Sequence, residues 1–137
     1  GGHSYEALSA IDKGVVVDVG NFLDVEVDAT SKTAVVGAGN WLGRLYSLLD
    51  SQGGFVLPGG DCPHVGVAGH TLGGGFGLLS RQLGIMLDAL VEVRLVDATG
   101  QIRVVNAQTD PDLFWALRGA GASNFGIITS FKFNIFQ

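Results

Sequence analysis

Charge is scarce in this 137-residue chain: 15% of its residues are Asp, Glu, Lys or Arg, and 13 acidic side chains outnumber 8 basic ones. A formal charge of −5 with so few cations excludes a nucleic-acid-binding surface and a polybasic membrane anchor, both of which need clustered positive charge. No run reaches the roughly 18 apolar residues that a membrane span requires. Cysteine occurs once, at Cys62, so an internal disulfide and every multi-cysteine metal site are excluded, and the redox compartment stays open. The chain also lacks an initiator Met. Its first residues, Gly1 to Glu6, show no basic-then-apolar leader, and it is read as an excerpt of a longer protein. What is present is apolar: 47% hydrophobic residues argue against disorder and for one globular unit, able to bury about two thirds of its unfolded surface.

Glycine is in excess, at 22 residues, against an average usage of about 7%. Between the glycine-rich joints lie short apolar segments. Val15 to Val17, Val25 to Val27 and Thr33 to Val36 read as strands. A helix follows, with Asn40 as its cap, Trp41, Leu42, Leu45, Leu48 and Leu49 on one face, and Gly53 at its end. Phe55 to Leu57 reads as a further short strand before a glycine-punctuated loop from Gly59 to Gly77. Val91, Val93 and Leu95 alternate with polar residues, and Asp97-Ala98-Thr99-Gly100 turns the chain into a strand ending at Val105. Thr109-Asp110-Pro111 opens a helix over Asp112 to Leu117, and Phe131, Phe133 and Ile135 mark a closing strand. Strands outnumber helices in an irregular order, which predicts an α+β fold, a mixed sheet with flanking helices, over a repeating βαβ one.

Three glycine-rich segments are candidates for chemistry. Gly37-Ala38-Gly39-Asn40-Trp41-Leu42-Gly43 superficially fits a dinucleotide fingerprint, which would make the chain an NAD(P)-binding reductase. Trp41 stands where a pyrophosphate must approach, however, so a tight strand-to-helix turn is the better reading. From Gly59 to Gly77 so many glycines free backbone N–H groups to face an anionic or planar ligand, and a cofactor is the natural guest. Cys62, stiffened by Pro63, is held there at a fixed place. Gly1-Gly2-His3-Ser4-Tyr5 offers amides, a hydroxyl and an imidazole, but no G-x-S-x-G nucleophile elbow occurs. No pair among His3, His64 and His70 has the four-residue helical spacing of a zinc enzyme, so no metal site is expected.

Together, Gly1 to Tyr5, Gly60-Asp61-Cys62-Pro63-His64-Val65-Gly66 with His70 and Gly73 to Gly75, and Leu117-Arg118-Gly119 through Phe125-Gly126-Ile127 resemble the berberine bridge enzyme-like flavoproteins. That family belongs to the vanillyl-alcohol oxidase superfamily, with its PCMH-type FAD-binding domain. The segments come in the family's order and cover almost the whole chain.

The resemblance implies that residues 1–137 are part of such a domain and that FAD is held bicovalently, by His3 at the 8α-methyl of the isoalloxazine and by Cys62 as a thioether. Imidazole and thiolate are soft nucleophiles suited to such bonds. It further implies that His70 reaches the ribityl chain and supports negative charge on the reduced ring. Gly1, Gly2, Ser4 and Tyr5 fall in the pyrophosphate loop, Gly60, Asp61, Val65, Gly66 and Gly69 line the cofactor, and Gly126 and Ile128 offer backbone groups near the adenine. The substrate domain and its catalytic base fall beyond Gln137 in the family, so no catalytic residue is expected here. The implied activity is that of an oxidase taking hydride from an alcohol, sugar or secondary metabolite, with molecular oxygen as acceptor; the Cys-Pro-His-Val-Gly wording is similar to that of microbial oligosaccharide oxidases. Many family members are secreted, and the same is expected of the parent. A flavin-binding module without catalysis is the competing reading.

Overall fold

The structure is a computed structural model that describes residues 2–120 and 124–137. Five strands form one sheet in the order β1-β2-β5-β3-β4: β1 (Val25–Asp28), β2 (Thr33–Gly37), β3 (Leu90–Val96), β4 (Ile102–Asn106) and β5 (Ile127–Asn134). All four ladders are antiparallel, so among the described residues the sheet lacks the parallel pair of a mixed sheet. The flanking elements are α1 (Leu42–Ser51), α2 (Val67–Leu72), α3 (Ser80–Leu83), a 3₁₀ turn over Met86–Ala89, and α4 (Pro111–Leu117).

The last strand in sequence is central in space. β5 lies between β2 and β3, with Phe131 opposite both Val36 and Val93 and Phe133 opposite Ala34 and Leu90. The two rings stack at 5.7 Å between centroids and are buried in the core with Leu42, Leu45 and Leu49 of α1. A strand side chain reverses face at every residue, yet Ile128 and Phe131 are both buried. The register explains this: Arg94 pairs with Ser130 and the next residue, Leu95, with Ile128, so Thr129 is an extra residue that resets the alternation. The β3–β4 hairpin closes as its sequence dictates, with the Asp97 carboxylate accepting from the N–H groups of Thr99 and Gln101. Asp110 caps α4 by accepting from the Leu113 N–H, ahead of proline in the first turn.

Three expectations are corrected. Val15 to Val17 form no strand: the segment is exposed and pairs with nothing among the described residues, because β-branched side chains favour a strand without supplying the neighbour that makes one. Phe55 to Leu57 contributes a single bridge, Val56 to Phe136, in place of a strand. Asn40 is not the cap of α1. Trp41 occupies that position, and buried Asn40 donates instead to the Gly37 carbonyl and accepts from Arg44.

The doubly flanked position of β5 predicts that Phe131→Ala destabilises the protein by about 3–5 kcal/mol, because a fully buried ring is replaced by a cavity. Denaturant unfolding of the wild type and variant checks this, as a lowered midpoint at similar slope.

Candidate functional site

The glycine-rich segment between Gly59 and Gly77 is not a featureless loop. It contains α2, which sequence periodicity missed because its six residues include Gly69, a residue that costs about 1 kcal/mol in a helix. Tertiary contacts override that cost: Val67, Thr71 and Leu72 are buried, and the Thr71 hydroxyl donates to the Val67 carbonyl.

The start of α1 positions this segment. A helix leaves its first N–H groups without internal acceptors, and here no side chain caps them. The Leu42 N–H donates to the Val65 carbonyl and the Gly43 N–H to the Pro63 carbonyl, each at 3.0 Å. The Val67 N–H donates back to the Asn40 carbonyl at 2.9 Å. Residue 43 must be glycine, since a Cβ there would stand 2.7 Å from Pro63 Cβ. The Cys-Pro-His-Val-Gly stretch is thus docked by backbone bonds onto α1, and the Cys62 thiol, which starts it, is exposed.

Beside this stretch lies a cleft of about 540 Å³. His3, His64 and His70 line it, with Val65 and Phe76 as apolar walls. Glycine supplies the remaining surface, at Gly66, Gly69, Gly73 and Gly75. Around Gly69 the position of a Cβ is open space, so the backbone is bare to whatever enters. Trp41 packs edge-on against His64 at 5.4 Å between ring centroids. His70 is half-buried, its Nε2 accepts from the Gly60 N–H at 2.8 Å, and burial lowers its pKa from the usual 6.5.

Of the residues singled out by sequence, His3, Val65, Gly66, Gly69 and His70 share this one cleft. Gly60 joins through its bond to His70, while Gly60 and Asp61 also face a neighbouring cavity of about 430 Å³. Cys62 is outside the cleft lining, on the exposed turn beside it. Ser4 accepts from the Leu8 N–H, Tyr5 is fully exposed, and neither lines the cleft. Gly1 lies outside the described residues. Gly126 (φ +148°) is pressed onto Leu95 and Val96, where a Cβ would come within 2.5 Å, and the Ile128 side chain is in the core. Their backbone lies beyond Gly37, where the β2 ladder ends, so of the named strands only β3 pairs with this part of β5. Sequence reasoning missed Tyr46 of α1, whose hydroxyl donates to the Gly60 carbonyl at 2.8 Å. An aromatic on a helix face reads as core; only the fold shows what its hydroxyl reaches.

The turn from Gly37 to Gly43 is not built as a Rossmann-type dinucleotide turn. A Cβ on Gly37 would meet the Phe22 carbonyl oxygen at 2.3 Å and one on Gly39 the Val19 carbonyl oxygen at 2.4 Å, so the chain's own backbone fills the approach. Both neighbours of β2 are also antiparallel, where a dinucleotide-binding unit requires a parallel crossover. The NAD(P) reading is not favoured.

A bare glycine surface with imidazoles on its rim and an accessible thiol beside it suits a flat, anionic cofactor that can be bonded to the protein, which fits FAD. Residues 1–106 match the family model described as an FAD binding domain. The chain belongs to that family, and its relatives include proteins named berberine bridge enzyme-like. It is 42% identical over 136 residues to berberine bridge enzyme-like 23 of Arabidopsis thaliana, a match covering 96% of this chain and 26% of that protein. The solved structure of the berberine bridge enzyme-like 1 protein of Physcomitrella patens matches with a TM-score of 0.85 at 47% identity, over 86% of this chain and 26% of that one. The glucooligosaccharide oxidase of Acremonium strictum, solved in connection with its 6-S-cysteinyl, 8α-N1-histidyl FAD, matches with a TM-score of 0.82 at 39% identity, over 86% of this chain and 24% of that one. The chain thus spans about a quarter of the length of these relatives. No helix among the described residues is long and apolar enough to cross a membrane.

Two outcomes follow from this geometry. Gly69→Ala should leave folding intact or strengthen it by up to about 1 kcal/mol, since the site is helical and open, while its methyl enters the cleft and lowers the FAD content of the purified protein. Absorbance at the flavin band against protein concentration measures the loss. The lowered pKa of His70 also has a sign. Above pH 6.5 the imidazole is neutral in both the folded and unfolded chain; as pH falls below 6.5 the unfolded chain takes up the proton first, so stability is lost until the folded pKa is reached. His70→Gln should flatten that part of the stability profile, as read by unfolding at a series of pH values.

Proposed function

We propose that this chain is the cofactor-holding part of an FAD-dependent oxidase, residues 1–137 forming part of a PCMH-type domain whose substrate domain lies elsewhere in the parent protein. The single observation that carries the reading is the cleft itself: His3 and His70 are brought together on a glycine surface, with the Cys62 thiol exposed on the adjoining, backbone-docked turn. FAD bound there would supply the redox chemistry, hydride acceptance from a substrate carbon with molecular oxygen as the final acceptor.

The chain's own residues bind and orient. His3 and Cys62 are the two attachment points, as the histidyl and cysteinyl links of the Acremonium strictum enzyme suggest. Gly66, Gly69, Gly73 and Gly75 leave the backbone bare so that a planar ring can lie close to it. His70 would reach the ribityl chain and support negative charge on the reduced ring, and the amides around Ser4 and Tyr5 would serve the pyrophosphate. The backbone of Gly126 and Ile128, unpaired by β2, serves the adenine end. The catalytic base belongs to the rest of the parent. Its substrate is an alcohol, a sugar or a secondary metabolite, the sugar being supported by the name of the Acremonium strictum relative, a glucooligosaccharide oxidase.

Acid-precipitated parent protein is expected to stay yellow, and flavin is expected on both the His3 and the Cys62 tryptic peptides by mass spectrometry. His3→Ala and Cys62→Ala should each retain one link, and the double variant should release FAD into the supernatant. Both peptides unmodified in a flavin-loaded wild type would overturn the two-tether reading. Peroxide release on a panel of oligosaccharides separates an oxidase from an inert flavin carrier.

A further inference from the structure

Gly60 is gripped through both of its backbone polar groups. The Tyr46 hydroxyl donates to its carbonyl and its N–H donates to His70 Nε2, each at 2.8 Å. A ring nitrogen that accepts an N–H carries no proton, so the neutral imidazole has its hydrogen on Nδ1. A charged imidazole would set two donors face to face and strand the Gly60 N–H. Bare glycine backbone flanks both side chains closely. A Cβ on Gly59 would stand 2.6 Å from the Tyr46 hydroxyl oxygen, one on Gly60 3.2 Å from His70 Cε1, and one on Gly75 3.2 Å from His70 Cδ2. Among the described residues Nδ1 has no partner, and His70 lines the cleft. Burial and the Asp61 carboxylate push the Tyr46 phenol up to about 12, which keeps it a donor at any working pH.

We propose that Tyr46 is a positioning residue of the cofactor cleft: through Gly60 it holds His70 as the Nδ1–H tautomer, with that N–H offered to the cleft, and it anchors the turn that carries Cys62. What Nδ1–H and the thiol meet rests on the FAD reading above; the tautomer itself does not. His70 then acts on a negatively charged ring as a fixed hydrogen-bond donor, without carrying a charge of its own. Tyr46 is hydrogen-bonded to the Gly60 carbonyl and His70 to the Gly60 N–H, so Gly60 links the two side chains.

The test uses the full-length parent labelled with 15N-histidine. Long-range proton–nitrogen correlations report the protonation of each ring nitrogen, and loss of signals in His70→Gln assigns them. The wild type is expected to show Nδ1–H and an unprotonated Nε2 at neutral pH. Tyr46→Phe should weaken that preference about five-fold, the ratio equivalent to one neutral hydrogen bond of about 1 kcal/mol, and should lower the share of Cys62 peptide that carries flavin while His3 attachment persists. A charged or Nε2-protonated His70 in the wild type overturns the proposal, as does a Tyr46→Phe protein unchanged in both readouts. If that variant does not fold, the wild-type tautomer decides. Absence of flavin from His3 and Cys62 would count against the FAD reading alone, since the same tautomer is expected in flavin-free protein.

Discussion

Two stretches of backbone touch in this domain with no room for any side chain between them. A Cβ on Gly77 would lie 1.6 Å from the Gly59 carbonyl oxygen, and one on Gly75 2.5 Å from Met86 Cβ. Nonbonded atoms cannot approach so closely, so the far end of the glycine-rich segment folds back on its near end only because both are bare. That contact closes the segment on itself around His70. It sets the ring's position against Gly59, Gly60 and Gly75, and it leaves the opposite backbone surface, at Gly69, facing open space. The glycine excess is therefore concentrated where main chain must meet main chain or a flat ligand.

Everything else supports that fold-back. The sheet, built around the stacked rings of Phe131 and Phe133, buries the apolar face of α1 and so fixes its axis. The start of α1 then lends its unsatisfied N–H groups to the Pro63 and Val65 carbonyls, and Tyr46 reaches the Gly60 carbonyl one turn further along. A helix terminus normally closed by its own polar side chain is here closed by the loop that it positions. Core packing, helix capping and the candidate cofactor cleft are in this way one chain of contacts, and a disturbance of α1 is felt at Cys62 and His70.

The pattern of alternation and turn chemistry made β1, β2, the β3–β4 hairpin, α4 and β5 legible, because each is specified by residues within a few positions of one another. The hairpin is closed by the Asp97 carboxylate and α4 by the Asp110 carboxylate, both local devices. Where pattern misled, a distant partner decided. Val15 to Val17 have strand-forming side chains and no strand beside them. Asn40 has the right side chain for a cap, but its amide is drawn to the Gly37 carbonyl and to Arg44. The helix α2 was hidden by Gly69 and exists through the burial of Val67, Thr71 and Leu72.

Residue types alone determined which chemistry is available: one thiol, three imidazoles and an excess of glycine, in an order that resembles the FAD-linked oxidases. Order along a chain cannot say what faces what. That His3, 67 positions before His70, shares a cleft with it, that Gly60 bridges Tyr46 to His70, and that the approach to Gly37 and Gly39 is filled by the chain's own carbonyls were decided by tertiary packing. The physical reason is the range of the forces: propensities and turn bonds act over a few residues, whereas exclusion of atoms from the same space acts between any two segments that the core brings together.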